Sequence, residues 1–149
     1  MNASPTAHRV LLLLTVIVFA ASTLVACRPE PVAPDDPTIL ILDPPANAHL
    51  SGGEVTVRTF VSYLTLSNAI GQPAKPGEGH IVYYMDVTPP VVRGESALTD
   101  PGTYVATTDK VHVWDNVPAG DHVFWVQLVS NNNTPLEPPA AVRVPVTMR

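Results

Sequence analysis

The chain has 149 residues, 46% of them hydrophobic, with 17 prolines, one cysteine and a formal net charge of −5. That is apolar material for one core, too short a chain for several domains, and too rich in proline for a helical protein, since each proline in a helix interior removes a hydrogen bond and clashes with the preceding turn. Eight Lys and Arg stand against 13 Asp and Glu without forming a basic cluster, which excludes a nucleic-acid role, because that needs phosphate-neutralising cations.

Residues 1–27 carry the address. Arg9 precedes an apolar run, Val10 to Ala21, broken only by Thr15, and Leu24-Val25-Ala26-Cys27 follows. A charged start, a short apolar stretch and small residues before a break describe a secretory signal. With Cys27 directly after the small residues, the segment resembles a bacterial lipoprotein signal with its lipobox. The resemblance implies a signal peptide over 1–26, cleavage before Cys27, and acylation of the Cys27 thiol and its new amino group. It places the mature protein on the cell membrane or outer membrane, facing outside the cytoplasm, with the membrane as partner through its N-terminal lipid. Stable anchoring takes more than one acyl chain, which such multiple acylation supplies. An uncleaved single-pass anchor and ordinary secretion are the alternatives. The anchor is the weaker fit, because the apolar run falls short of the ~20 residues of a span.

Removing residues 1–26 takes away one cation and leaves 123 residues with seven cations, 13 acids and a net charge of −6. With Cys27 acylated no free thiol remains. A disulfide, a Cys-ligated zinc site, a thiol nucleophile and a redox CxxC pair are thereby excluded, so stability must come from the apolar core.

Arg28 to Pro37 reads RPEPVAPDDP. With Cys27 it forms a Pro-rich, acidic tether over 27–37, extended because it has almost nothing to bury. The domain is expected over 38–149. Thr38 to Leu42 predicts a first strand, stopped by Asp43-Pro44-Pro45. After the turn Ser51-Gly52-Gly53, Glu54 to Tyr63 alternates, with Val55, Val57, Thr59 and Val61 on one face and Glu54, Thr56, Arg58 and Phe60 on the other. Period two with β-branched residues predicts a strand. Asn68 to Gly79 is a loop, His80 to Val87 a strand closed by Pro89-Pro90, and Val91 to Gly102 irregular. Thr103–Thr107 and Lys110–Trp114 are strand-like. Pro118-Ala119-Gly120 turns into Asp121–Val129, the longest apolar strand. Ser130–Pro139 reads as a polar loop, and Ala140–Met148 as a final strand whose Pro145 fits an edge position. About seven strands at roughly 8–12-residue spacing predict an all-β, immunoglobulin-like antiparallel β-sandwich.

Two stretches carry a second resemblance: Gly77-Glu78-Gly79-His80-Ile81-Val82-Tyr83-Tyr84-Met85-Asp86-Val87, and the run from Trp114 to Pro139 that contains Asn116-Val117-Pro118-Ala119-Gly120-Asp121-His122 and Val126-Gln127-Leu128-Val129-Ser130-Asn131-Asn132-Asn133-Thr134-Pro135-Leu136-Glu137-Pro138-Pro139. They are similar to a family of small secreted or surface immunoglobulin-like domains of bacteria and archaea with the pattern GEGHxHxYxD, then NVxxGxH, then VQLVxNDxTPLxPP. Many relatives carry a second histidine where this chain has Val82. Some carry one after an aspartate where this chain reads Asn132-Asn133.

Among chemical candidates, His80, His112 and His122, with Met85 nearby, suggest a copper-type metal site, since imidazole and thioether suit that ion. Strand alternation opposes it: His80 shares a face with Val82 and Tyr84, whereas His122 shares one with Phe124, Val126 and Leu128. Asp115, Asn116 and Asp121 lack the spacing and number of a calcium loop and suit a turn. Gly94-Glu95-Ser96-Ala97-Leu98 lacks the second glycine of a nucleophile elbow. No catalytic residue and no cofactor emerge, so the chain reads as a non-enzyme. Trp125 falls on the face opposite the core set with Val123, Gln127 and Val129, and Tyr84 is expected beside it. An aromatic patch of Trp125, Tyr84 and Gln127 would mark a contact surface for a protein or cell-surface partner. The alternative is that Val91–Gly102 folds over Trp125. The function expected is a membrane-anchored extracytoplasmic lipoprotein with a non-catalytic binding, adhesion or assembly role, the alternative being a metal-handling domain that uses its histidines.

Overall fold

In the computed structural model, residues 36–149 are described. The signal segment, Cys27 and residues 28–35 of the tether lie outside the described residues. Nine strands run in order: β1 Thr38–Asp43, β2 Ala48–Leu50, β3 Glu54–Ser62, β4 Thr65–Leu66, β5 Glu78–Met85, β6 Tyr104–Thr107, β7 Val111–Asp115, β8 Gly120–Ser130 and β9 Pro135–Met148. They build an all-β, immunoglobulin-like sandwich. One sheet has the order β1-β3-β7; the other runs β2-β9-β8-β5-β4, with β6 also paired to β5.

The chain changes sheet on either side of β2, between β3 and β4, and on either side of β7. Two short pairings, β2 with β9 and β4 with β5, are parallel; the other five are antiparallel. Strands β2 and β4 are absent from the sequence expectation because three and two residues show no period. The last strand begins at Pro135 rather than Ala140, and Leu136–Pro139 forms a bulge between the pairs Val129↔Pro135 and Leu128↔Ala140.

Alternation decides what is buried. In β3, Val55, Val57, Thr59 and Val61 point inward while Glu54, Arg58 and Phe60 stay exposed. In β8, Phe124, Val126 and Leu128 fill the space between the sheets with Ile81 and Tyr83 of β5, Trp114 of β7 and Val144 and Val146 of β9. Gly79 allows β5 to approach β8: a Cβ there would collide with the Val129 carbonyl oxygen, which is backbone and cannot yield.

Pro145 is not on an open edge, since β9 lies between β2 and β8. Its partner Val123 turns its N–H to Asp86 Oδ1 (2.9 Å) and its carbonyl to the Asp86 N–H (2.9 Å). The 123·145 pair therefore makes no ladder bond. The missing N–H faces the other side, where the Pro145 carbonyl accepts from Asn47 N–H at 2.7 Å, just ahead of β2.

Candidate functional site

Tyr84 and Trp125 are direct cross-strand partners, but they do not form an exposed patch. The segment from Thr88 to Thr103 crosses this face and builds a second small core with Val82, Tyr84, Ala97 and Val129, flanked by Leu98, Tyr104, Ala106 and Trp125. Tyr84 and Gln127 are fully buried. Their polar atoms fasten the cover. The Tyr84 hydroxyl serves the Ala97 carbonyl (2.9 Å) and Gln127 Oε1 (2.8 Å), and Gln127 Nε2 donates to the Pro90 carbonyl (2.9 Å). Burial, then the neighbouring Tyr104, pushes the Tyr84 hydroxyl far above the usual phenol range. The expected contact surface is thus corrected: Tyr84 and Gln127 hold a covering loop. Trp125 remains half-buried beneath Arg143, whose guanidinium lies 5.6 Å from the ring centroid, in a shallow cleft shared with Asp86, Thr88 and Val123.

The three candidate ligands are not brought together, and no group of three His, Cys, Asp or Glu among the described residues could hold a metal ion. His80 is fully buried on the covered face. Neither of its ring nitrogens has a hydrogen-bond partner among the described residues, and the Oδ1 atoms of Asn131 and Asn133 are likewise buried and unpartnered. Burial lowers the pKa of His80, with the Asn133 carboxamide acting the other way. His112 and His122 lie on the side of the inter-sheet core. His112 packs between Tyr83 (5.3 Å between centroids) and Trp114 (4.8 Å, edge-on), and Trp114 and Phe124 separate it from His122. Burial lowers His112, against the charge of Asp115. In His122, Nδ1 meets Asp86 Oδ2 at 2.7 Å and Nε2 meets the Pro118 carbonyl at 2.9 Å, so both nitrogens are occupied. The metal site suggested by His80, His112 and His122 is therefore corrected to three separate structural roles.

The surface that sequence reasoning missed is the outer face of β1-β3-β7. Leu40 (54% exposed) is the cross-strand partner of Phe60 (49%), Leu42 (58%) follows on β1, and Val111 and Val113 continue the band on β7 beside Arg58 and Thr56. At the end of β3, Tyr63 is exposed as well. The signal was available in the alternation of β3, which sets Phe60 opposite the core valines. Exposed apolar side chains on all three strands, with Arg58 and Thr56 among them, make this face a candidate contact surface.

No protein-family model and no curated protein matches this chain. Among solved structures it is similar to an engineered protein, with 13% identity, a TM-score of 0.40 and coverage of 78% of this chain and 21% of that one. It is also similar to fibronectin(III)-like modules of CbhA from Clostridium thermocellum, with 13% identity, a TM-score of 0.45 and coverage of 76% and 46%. A third is the PKD domain of human KIAA0319, with 18% identity, a TM-score of 0.34 and coverage of 82% and 91%. The chain thus spans about a fifth of the first of these and under half of the second.

Proposed function

We propose that this chain is a lipid-anchored extracytoplasmic lipoprotein whose immunoglobulin-like domain serves a non-catalytic contact role in binding, adhesion or assembly. The observation that carries the contact role is the exposed band of Leu40, Leu42, Phe60, Val111 and Val113 on one sheet face. Burying such a band is favourable by roughly 25 cal/mol per Å² of apolar surface removed from water, and nothing within the described residues covers it. The anchor is supported by the apolar run ending in Leu24-Val25-Ala26-Cys27. The metal-handling alternative needs His80, His112 and His122 to converge, which their faces oppose.

Detergent phase partitioning of the full chain tests the anchor. Wild type should enter the detergent phase, and Cys27→Ser should be left uncleaved or released to the aqueous phase. Identical partitioning of the two would overturn the reading.

A further inference from the structure

We infer that the outer face of the β1-β3-β7 sheet docks on the lipid bilayer that carries the anchor, so that the domain lies against its membrane. The inference deepens the contact role above and rests on acylation of Cys27.

Ten residues, Arg28 to Pro37, separate Cys27 from β1, a reach of at most ~33–36 Å when fully extended. In sequence β1 is the strand that follows the tether directly, and it is also the strand that presents Leu40 and Leu42. These lie roughly 7 and 13 Å beyond Thr38, at ~3.3 Å per residue.

The outer face is graded along the sheet. At the end where the chain enters, Tyr63 follows Ser62, the partner of Thr38. Next come Leu40 and Phe60, then Leu42, with Arg58 beside Val111 and Thr56 beside Val113. The carboxylates Glu54 and Asp115, which are cross-strand partners, sit at the far end. Apolar side chains can thus enter the headgroup boundary, Tyr63 can keep its hydroxyl wet while its ring is buried, and Glu54 and Asp115 stay farthest from lipid.

The domain as a whole is acidic, which opposes approach to an anionic membrane. This face instead carries Arg58, a guanidinium suited to phosphate, beside Val111. Two acids flank the band, Asp43 opposite Arg58 and exposed Asp109 two residues before Val111. The backbone polar groups of β3, at the centre of the face, are already paired on both sides, as a surface entering an apolar medium requires.

Because Cys27 is the only cysteine and is acylated in the mature protein, Leu40→Cys adds one free thiol at an exposed position. A fluorophore placed there, and on Glu95→Cys in the loop over the other sheet, reports the environment of the full lipidated chain. The vesicles are of phosphatidylethanolamine and phosphatidylglycerol. The label at residue 40 should be several-fold less accessible to aqueous iodide than the label at residue 95, and should be quenched by a lipid-borne nitroxide; Phe60→Cys should repeat the pattern. Equal iodide quenching at 40 and 95 on vesicle-bound protein would overturn the docking and leave the anchor standing. Disulfide-linked dimers through residue 40 would overturn it in favour of a second copy of the chain. Recovery in the aqueous fraction with Cys27 unmodified would remove anchor and docking together.

Discussion

His122 and Asp86 close one end of the larger sheet as a pair. The imidazole Nδ1 donates to Asp86 Oδ2 at 2.7 Å, while Asp86 Oδ1 accepts the backbone N–H of the next residue, Val123, at 2.9 Å. The other ring nitrogen faces the Pro118 carbonyl at 2.9 Å. Both partners of the ring are acceptors, so only the imidazolium satisfies both bonds. Burial pulls the His122 pKa down, but the Asp86 and Pro118 hydrogen bonds and the charges of Asp86 and Asp121 outweigh it, and the net direction is upward.

A raised folded-state value fixes the sign. The His122 contribution is fully present below the ordinary histidine value of ~6.5 and is lost as pH rises through the raised folded value. His122→Gln should therefore lower the melting temperature more at pH ~5.5 than at pH ~8.5, on either side of that window. A gap between wild type and variant that does not change with pH would contradict the imidazolium.

His80 acts in the opposite sense. Burial lowers its value, so below pH ~6.5 the unfolded chain takes up a proton that the folded chain resists, and stability falls with acid. His112 shares this direction. His80→Gln should make the acid limb of a stability-versus-pH curve shallower without abolishing it. An unchanged limb would show that His80 does not remain neutral in the fold.

The cover over the larger sheet depends on Tyr84. Tyr84→Phe removes the hydroxyl whose single proton lies between the Gln127 Oε1 and Ala97 carbonyl acceptors. Leaving such buried acceptors unmet costs about 1–3 kcal/mol. Urea unfolding should show a loss in that range, and limited proteolysis within Val91–Gly102 should accelerate. Wild-type stability and protection together would mean that the segment is held by other contacts.

The register of β8 is open to direct measurement. Phe124→Ala should cost about 3–5 kcal/mol, the usual range for a buried aromatic, which is a large share of a total of ~5–15 kcal/mol for a single domain. Val123→Thr, on the opposite face and only partly buried, should cost much less. The reverse order would place the strand one residue out of register and turn every side chain over.

How far the sequence could be read follows from these same residues. The inward set Val55, Val57, Thr59 and Val61 was legible because β3 alternates over nine residues; the inward set Phe124, Val126 and Leu128 was legible because Asp121 and Gln127 mark the opposite side of an otherwise apolar run. The placement of Tyr84 beside Trp125 followed from the same periodicity. Their covering by Val91–Gly102 was the alternative the sequence offered, but its attachment was not legible, because the segment has no period and is held through backbone carbonyls at Pro90 and Ala97. Pro145 looked like an edge residue because the three residues of β2 that flank its strand are too few to signal a partner. The outward band of Leu40 and Phe60 was visible within each strand, but only the pairing of β1 with β3 makes it a surface.

The central claim, a contact domain held at the membrane by lipid, is tested most directly by the intact mass of the protein recovered from membranes. The account predicts a chain that begins at Cys27 and carries acyl groups on its sulfur and its amino group. An unmodified chain that retains residues 1–26, or one cleaved elsewhere with a free Cys27 thiol, would contradict it.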